Sequence, residues 1–211
     1  MSDFKPVKVK DFYNNIHHQY YNPLSHKITC QAKKINETIL KKLRDKVEGP
    51  ILDVGCASQI PVANSFGCDI SIEGLKMRKT LFSDNMVICA DINALPFKAG
   101  SFSGFLAGLL FDHVEEPERA FSSLNWASKP GSILTVTVFD SSSLPGGKYA
   151  DNKLRYMSIT GEAFSVPSYS RTRDELINYA ALSGWDYCSS FIHGTQSEYY
   201  RLLQINFQRF R

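Results

Sequence analysis

Four short apolar runs in this chain end in residues that can bind or react. Asp53 and Gly55 follow Ile51-Leu52, Asp69 follows Gly67-Cys68, Asp91 follows the run at 86–90, and Ala107-Gly108 fall near the end of the run at 102–110. An acid that closes an apolar run serves no packing purpose. If the runs are neighbouring parallel strands, these residues converge beyond the strands' carboxyl ends, where open α/β sheets bind ligands. Their chemistry suits a nucleoside without phosphate. Asp69 can accept both ribose hydroxyls, Asp91 can accept an adenine amino group, and Ile70 and Ile92 can sandwich the ring. A dinucleotide would want G-x-G-x-x-G at the first turn, which here reads Gly55-Cys56-Ala57-Ser58-Gln59-Ile60, and no G-x-x-x-x-G-K-[ST] occurs. Nicotinamide dinucleotides and P-loop chemistry are therefore disfavoured. His113, just past the fourth run and beside Asp112, is the best-placed general base, with His17-His18 a second pair.

The elements that must position these residues are legible in the periodicity. Apolar runs at 51–54, 67–70, 86–90, 102–110 and 132–138 alternate with helical patterns at 71–82, 117–128 and 172–183, the signature of βαβ units and a parallel sheet covered on both faces. Two further strands, 185–192 and 199–207, are joined closely enough for a hairpin, which makes the last strand antiparallel. Ahead of the first strand, residues 27–46 carry Ile28, Ile35, Ile39, Leu40 and Leu43 at helical spacing, and residues 7–22 are aromatic and polar up to Pro23. The expected organisation is an N-terminal cap of helices over 1–48 and a main domain over 49–211. Within it, residues 141–170, rich in Ser, Gly, Pro and Tyr, form an insertion too long for an ordinary connection.

Composition narrows the class further. With 211 residues, 43% of them hydrophobic, the chain can bury a substantial core. A net charge of +3 is too weak to imply a polyanionic partner without a patch to carry it, and the lysines between 33 and 46 read as a solvated helix face. No apolar run approaches the ~20 residues of a membrane span, and no export signal is recognisable, so the expected location is cytoplasmic. Five cysteines without metal-ligand spacing read as reduced thiols.

Five segments, in order, resemble the class I S-adenosylmethionine-dependent methyltransferases, in particular the type 11 branch of small-molecule enzymes. They are Ile51-Leu52-Asp53-Val54-Gly55-Cys56, Gly67-Cys68-Asp69-Ile70-Ser71, Ala90-Asp91-Ile92-Asn93-Ala94-Leu95-Pro96-Phe97, Ser101-Phe102 through Asp112-His113-Val114, and Lys129-Pro130-Gly131-Ser132. The resemblance implies a Rossmann-like α/β fold with a mostly parallel seven-stranded sheet whose last strand is antiparallel. It also implies S-adenosylmethionine as cofactor and S-adenosylhomocysteine as product. On it, Asp53, Gly55 and Cys56 hold the amino-acid end of the cofactor, Asp69 the ribose, Ile70 a face of the adenine, and Asp91 with Ile92 its edge. Ala107 and Gly108 floor the pocket near the methyl group, and Tyr13, Tyr20 and Tyr21 match the aromatic segment that folds over the cofactor. The same reading sets aside Cys56 as a nucleophile, since the family uses that position for backbone contact.

The implied activity is methyl transfer to a small-molecule acceptor, mainly by alignment, with His113 as base where one is needed. Tyr149, Tyr156 and Tyr169 lie where the family binds its acceptor and can form an aromatic pocket; they can equally be the small core that a long insertion requires. Two departures are visible. Ala57 and Gln59 stand where the family turn carries glycines, and only 16 positions separate Asp53 from Asp69, with Pro61 between them. The helix after the first turn is therefore expected to be short or irregular. A non-catalytic binding or scaffold protein is the competing expectation, and an RNA methyltransferase ranks third.

Overall fold

The apolar runs become strands whose alternate side chains feed two cores. In this computed structural model, residues 4–20, 27–57, 59–140, 151–158, 160–194 and 201–209 are described. In chain order the elements begin with β1 (Lys5–Pro6), α1 (Val9–Tyr20), α2 (Lys27–Lys46), β2 (Ile51–Val54), β3 (Ser65–Asp69), α3 (Ile72–Leu81), β4 (Met86–Cys89) and β5 (Phe102–Gly108). They continue with α4 (Pro117–Ala127), β6 (Ser128–Phe139), β7 (Lys153–Met157), β8 (Ala163–Pro167), α5 (Arg173–Leu182), β9 (Trp185–His193) and β10 (Leu202–Arg209). Among the described residues no helix is long and apolar enough to cross a membrane.

Seven strands form one sheet in the order β4-β3-β2-β5-β6-β10-β9, with β10 antiparallel to both neighbours. Leu52 and Val54 of β2, with Phe105 and Ala107 of β5, face the larger core, where Phe121, Leu176 and Trp185 are fully buried. Ile51 and Leu106 point the other way, into the stripe Ile39, Leu40 and Leu43 of α2. Side chains alternate along a strand, so Asp53 shares the face of Ile51. The chain grows outward from β2 to β4, then returns to β5 and grows the other way, which puts the topological switch between β2 and β5.

The crossover from β2 to β3 departs from the usual βαβ pattern. Among the described residues of 55–64 none is helical, as the short spacing and Pro61 predict.

A second, three-stranded sheet was not legible in the sequence. The β7–β8 hairpin from the long insertion pairs antiparallel, and β1 adds to β8 in parallel, with Lys5 opposite Phe164. Helix α1 packs on this sheet through Phe12 and Ile16, which bury against Tyr156, Phe164 and Val166. Phe12 meets the rings of Tyr13, Tyr156 and Phe164 edge-on at 5.2, 5.4 and 6.3 Å. The N-terminal segment and the insertion, read separately in the sequence, are thus one layer. Asn14 fastens it to the main sheet: its Oδ1 accepts from the hydroxyl of Ser71, the N-cap of α3, at 2.9 Å.

Since Phe12 is the hub of this layer, Phe12→Ala is expected to cost about 3 kcal/mol of packing. Hydrogen exchange should show lost protection in α1, β7 and β8 with protection of β5, β6 and β10 retained; uniform loss across both sheets would show that the layer is not a separable unit.

Candidate active site

Beyond the strand ends lies a cavity of about 280 Å³. The sheet order sorts its wall. Ala90, Asp91, Ile92 and Asn93 come from beyond β4, Asp69, Ile70 and Ser71 from β3, and Val54, Gly55, Ala57 and Gln59 from β2. Gly108, Leu109, Leu110 and His113 come from β5 and the turn after it, while α1 contributes Val9 and Tyr13 and α2 contributes Lys33 and Asn36.

Asp69 organises the middle of the wall. One of its oxygens accepts the N–H of Ser71 and the other that of Ala57, each at 2.8 Å. Burial raises its pKa, opposed by these two amides. Each oxygen keeps a lone pair for a further donor. Asp91, more exposed, accepts the N–H of Asn93 at 2.9 Å and so shapes the turn that brings Ile92 to the wall. At the other end Gly108 is required by a close approach: a Cβ there would stand 2.5 Å from Nδ2 of Asn36. Asn36 is buried and accepts the hydroxyl of Thr137 at 2.8 Å, which ties α2 to the ends of β5 and β6.

The chain's likenesses to known proteins agree with this geometry. Residues 52–136 match the methyltransferase-domain family. A protein proposed to be a methyltransferase, solved in complex with the Haloferax volcanii Trm112 methyltransferase activator, superposes with a TM-score of 0.74 at 12% identity, covering 96% of this chain and 98% of that one. The 1,6-didemethyltoxoflavin-N1-methyltransferase of Burkholderia thailandensis, solved with 1,6-didemethyltoxoflavin and S-adenosylhomocysteine, gives 0.65 at 13% identity over 96% and 88%. The 4+2 cyclase SpnF gives 0.66 at 14% identity over 98% and 97%. No curated protein sequence matches. Residues 52–136 thus match a methyltransferase domain, and the solved structures share the Rossmann-like sheet just described, one of them holding S-adenosylhomocysteine.

The fold brings eight of the expected residues to one cavity and withdraws others. Gly55, Asp69, Ile70, Asp91, Ile92, Gly108, Tyr13 and His113 are on the wall. Asp53, Cys56 and Ala107 are buried behind it. Asp53 is bound to Arg78 Nη1 at 2.9 Å and to Gln59 Nε2 at 3.2 Å, and burial, opposed by the Arg78 charge, pushes its pKa up to about 6. Burial holds the Cys56 thiol far above its usual range, so it is no nucleophile. The N–H groups of Gly55 and Cys56 both go to the carbonyl of Cys68, at 2.8 and 3.1 Å. The N–H groups of Gly55, Cys56 and Ala57 are therefore all spent on β3.

His113 differs from the free base expected of it. Its Nδ1 lies 2.8 Å from the carbonyl of Pro167, and its Nε2 lies 2.8 Å from the hydroxyl of Tyr13. A carbonyl only accepts, so Nδ1 carries the proton and Nε2 accepts from the tyrosine. Burial lowers the pKa of His113, while burial raises that of adjacent Asp112 to about 7. Both neighbours are thus driven toward their neutral forms, from opposite sides.

Tyr156 does not reach the cavity: it is part of the small core under α1. Tyr169 stacks under the Arg171 guanidinium at 4.7 Å, away from the wall. Tyr21, Tyr149 and the side chains of His17, His18 and Tyr20 lie outside the described residues. Sequence reasoning missed Lys33 and Asn36. A lone amide between Ile35 and Ile39 on an apolar helix stripe was the available signal for Asn36.

Asp112 has a checkable signature. Between pH of about 4 and about 7 the folded protein binds its proton more tightly than the unfolded chain does, so stability falls as pH rises through that window. Asp112→Asn is expected to flatten this slope in thermal unfolding; an unchanged slope would place the titration elsewhere.

Proposed function

We propose that this protein transfers the methyl group of S-adenosylmethionine to a small-molecule acceptor held beneath α1. The observation that carries the reading is the convergence of Asp69, Ile70, Asp91 and Ile92 at one end of a single cavity with Gly108, Tyr13 and His113 at the other. Asp69 would take the ribose hydroxyls, Ile70 and Ile92 the adenine faces and Asp91 its amino group. With the amides of Gly55 and Cys56 committed to Cys68 and that of Ala57 to Asp69, the amino-acid end falls to α2, where Lys33 and Asn36 line the cavity.

When bound, the cofactor supplies a methyl group on a sulfonium, a leaving group that departs without protonation. The chain's own task is then to align, to exclude water, and to receive a proton if the acceptor carries one. Helix α1 covers the cavity with Val9 and Tyr13. Tyr13 serves as the proton relay. An acceptor N–H or O–H gives its proton to the phenol oxygen, and the phenol proton passes to Nε2 of His113, whose other nitrogen stays bonded to Pro167. Low pH opposes this step, because a protonated His113 has no lone pair for Tyr13.

A non-methylating binding protein or catalyst with this fold is the second reading, favoured by the committed donors of the first turn and by the likeness to a cyclase. Calorimetry with S-adenosylhomocysteine addresses the site. Micromolar binding is expected, weakened at least about tenfold in Asp69→Ala, the worth of roughly 1.4 kcal/mol; no binding to the folded wild type would reject the cofactor reading. Given binding, methyl transfer to amines, hydroxyls or heteroaromatic N–H compounds tests the enzyme. With such an acceptor Tyr13→Phe should lower kcat by roughly 10²-fold or more, with the affinity for S-adenosylhomocysteine held. Equal kcat would remove Tyr13 from the proton path.

A further inference from the structure

The face of the sheet that carries Asp53 is where a crossover helix between β2 and β3 would lie, and the described part of 55–64 supplies none. Arg78 crosses from α3 to this place and is fully buried. Its Nη1 reaches Asp53 at 2.9 Å and the carbonyl of Cys56 at 3.4 Å, and its Nε donates to Asn85 Oδ1 at 2.6 Å. Asn85 in turn donates to the carbonyl of Ser65 at the start of β3, at 3.2 Å. One guanidinium therefore links the end of β2, the turn after it and the beginning of β3.

The sequence makes room for this arrangement. Gly67 stands opposite Asp53 in the β2–β3 register, and a Cβ there would approach Arg78 Nε to 3.1 Å and Cys56 Sγ to 2.8 Å. Gln59, in a position where the family turn carries glycine, donates to the second oxygen of Asp53. The departure that looks like degeneration of the turn thus supplies one of its supports.

We infer that Arg78, with Asp53 and Gln59, is a positioning group that stands in for the missing crossover helix and holds the cavity-facing turn at residues 55–57. In this chain Asp53 serves the turn through Arg78 and does not touch the ligand. The ligand arm of the test rests on the cofactor reading above; the other arm does not.

The first arm is hydrogen exchange in the unliganded protein. Arg78→Met should speed exchange of the Gly55, Cys56 and Ala57 amides at least about tenfold relative to those of β10, as expected for local opening. The double variant Asp53→Leu/Arg78→Met, which leaves no unpaired buried charge but also lacks the guanidinium, should keep the faster exchange; restored protection would assign the opening to the unpaired Asp53 charge and overturn the inference. The second arm compares binding of S-adenosylhomocysteine with that of 5′-methylthioadenosine, which lacks the amino-acid end. Asp53→Asn should weaken both while their ratio stays within about threefold, less than the loss of one hydrogen bond to a charged group. Exchange that is unchanged, or that rises equally in β10, overturns the inference. So does a tenfold change in the ratio, which would put Asp53 on the amino-acid end. If wild type binds neither ligand, the cofactor reading fails and the exchange arm alone decides this one. If Arg78→Met does not fold, Arg78→Lys, which keeps the charge but loses the fork, is judged by the same criteria.

Discussion

Ten residues carry the chain from the end of β2 to the start of β3, where parallel neighbours ordinarily need a dozen or more and a helix. Much of the site's character follows from that constraint. A helix would have covered the Asp53 face with apolar side chains and presented its N-terminal amides toward the cavity. Without it, the polar groups of the turn must be satisfied close by. Cys68 takes two amides, Asp69 a third, and Arg78 approaches the Cys56 carbonyl from beneath. A buried guanidinium and carboxylate of this kind contribute geometry more than net stability, because desolvation offsets most of their attraction. The turn is tied down by polar contacts that engage all three amides of residues 55–57.

The cavity's roof obeys a different logic. Tyr13, His113 and Pro167 belong to α1, the turn after β5 and β8, and one chain of two hydrogen bonds joins all three. Roof and floor are therefore coupled through a neutral imidazole. Burial is what keeps it neutral and so leaves Nε2 an acceptor for the Tyr13 hydroxyl.

Most of the main sheet was legible. Helix α2 runs over the residues that its apolar spacing predicts, and the strands and the antiparallel β10 follow the alternation of apolar runs and helical patterns. The convergence of Asp69 and Asp91 on one cavity was legible too, since both close their runs without a packing reason. Side-chain pairing across distant segments was not. Nothing local marks Arg78 as the partner of Asp53, because an arginine in a helical pattern reads as a surface charge until the facing glycine is known. Tyr156 looked equally suited to an acceptor pocket or a small core, and only the arrival of Phe12 decided between the two.

The pairing of Lys5 with Phe164 also sets the order in which the molecule can be completed. During synthesis from the N-terminus, β2 to β6 can associate as they emerge, with closures of modest length. Strand β1 and helix α1, made before the main sheet, have no template until β8 has been made. They thus wait for a later hairpin, and the half-made protein exposes the Phe12 face of α1 in the meantime. That interval, more than the finished fold, is where a chaperone would have something to hold.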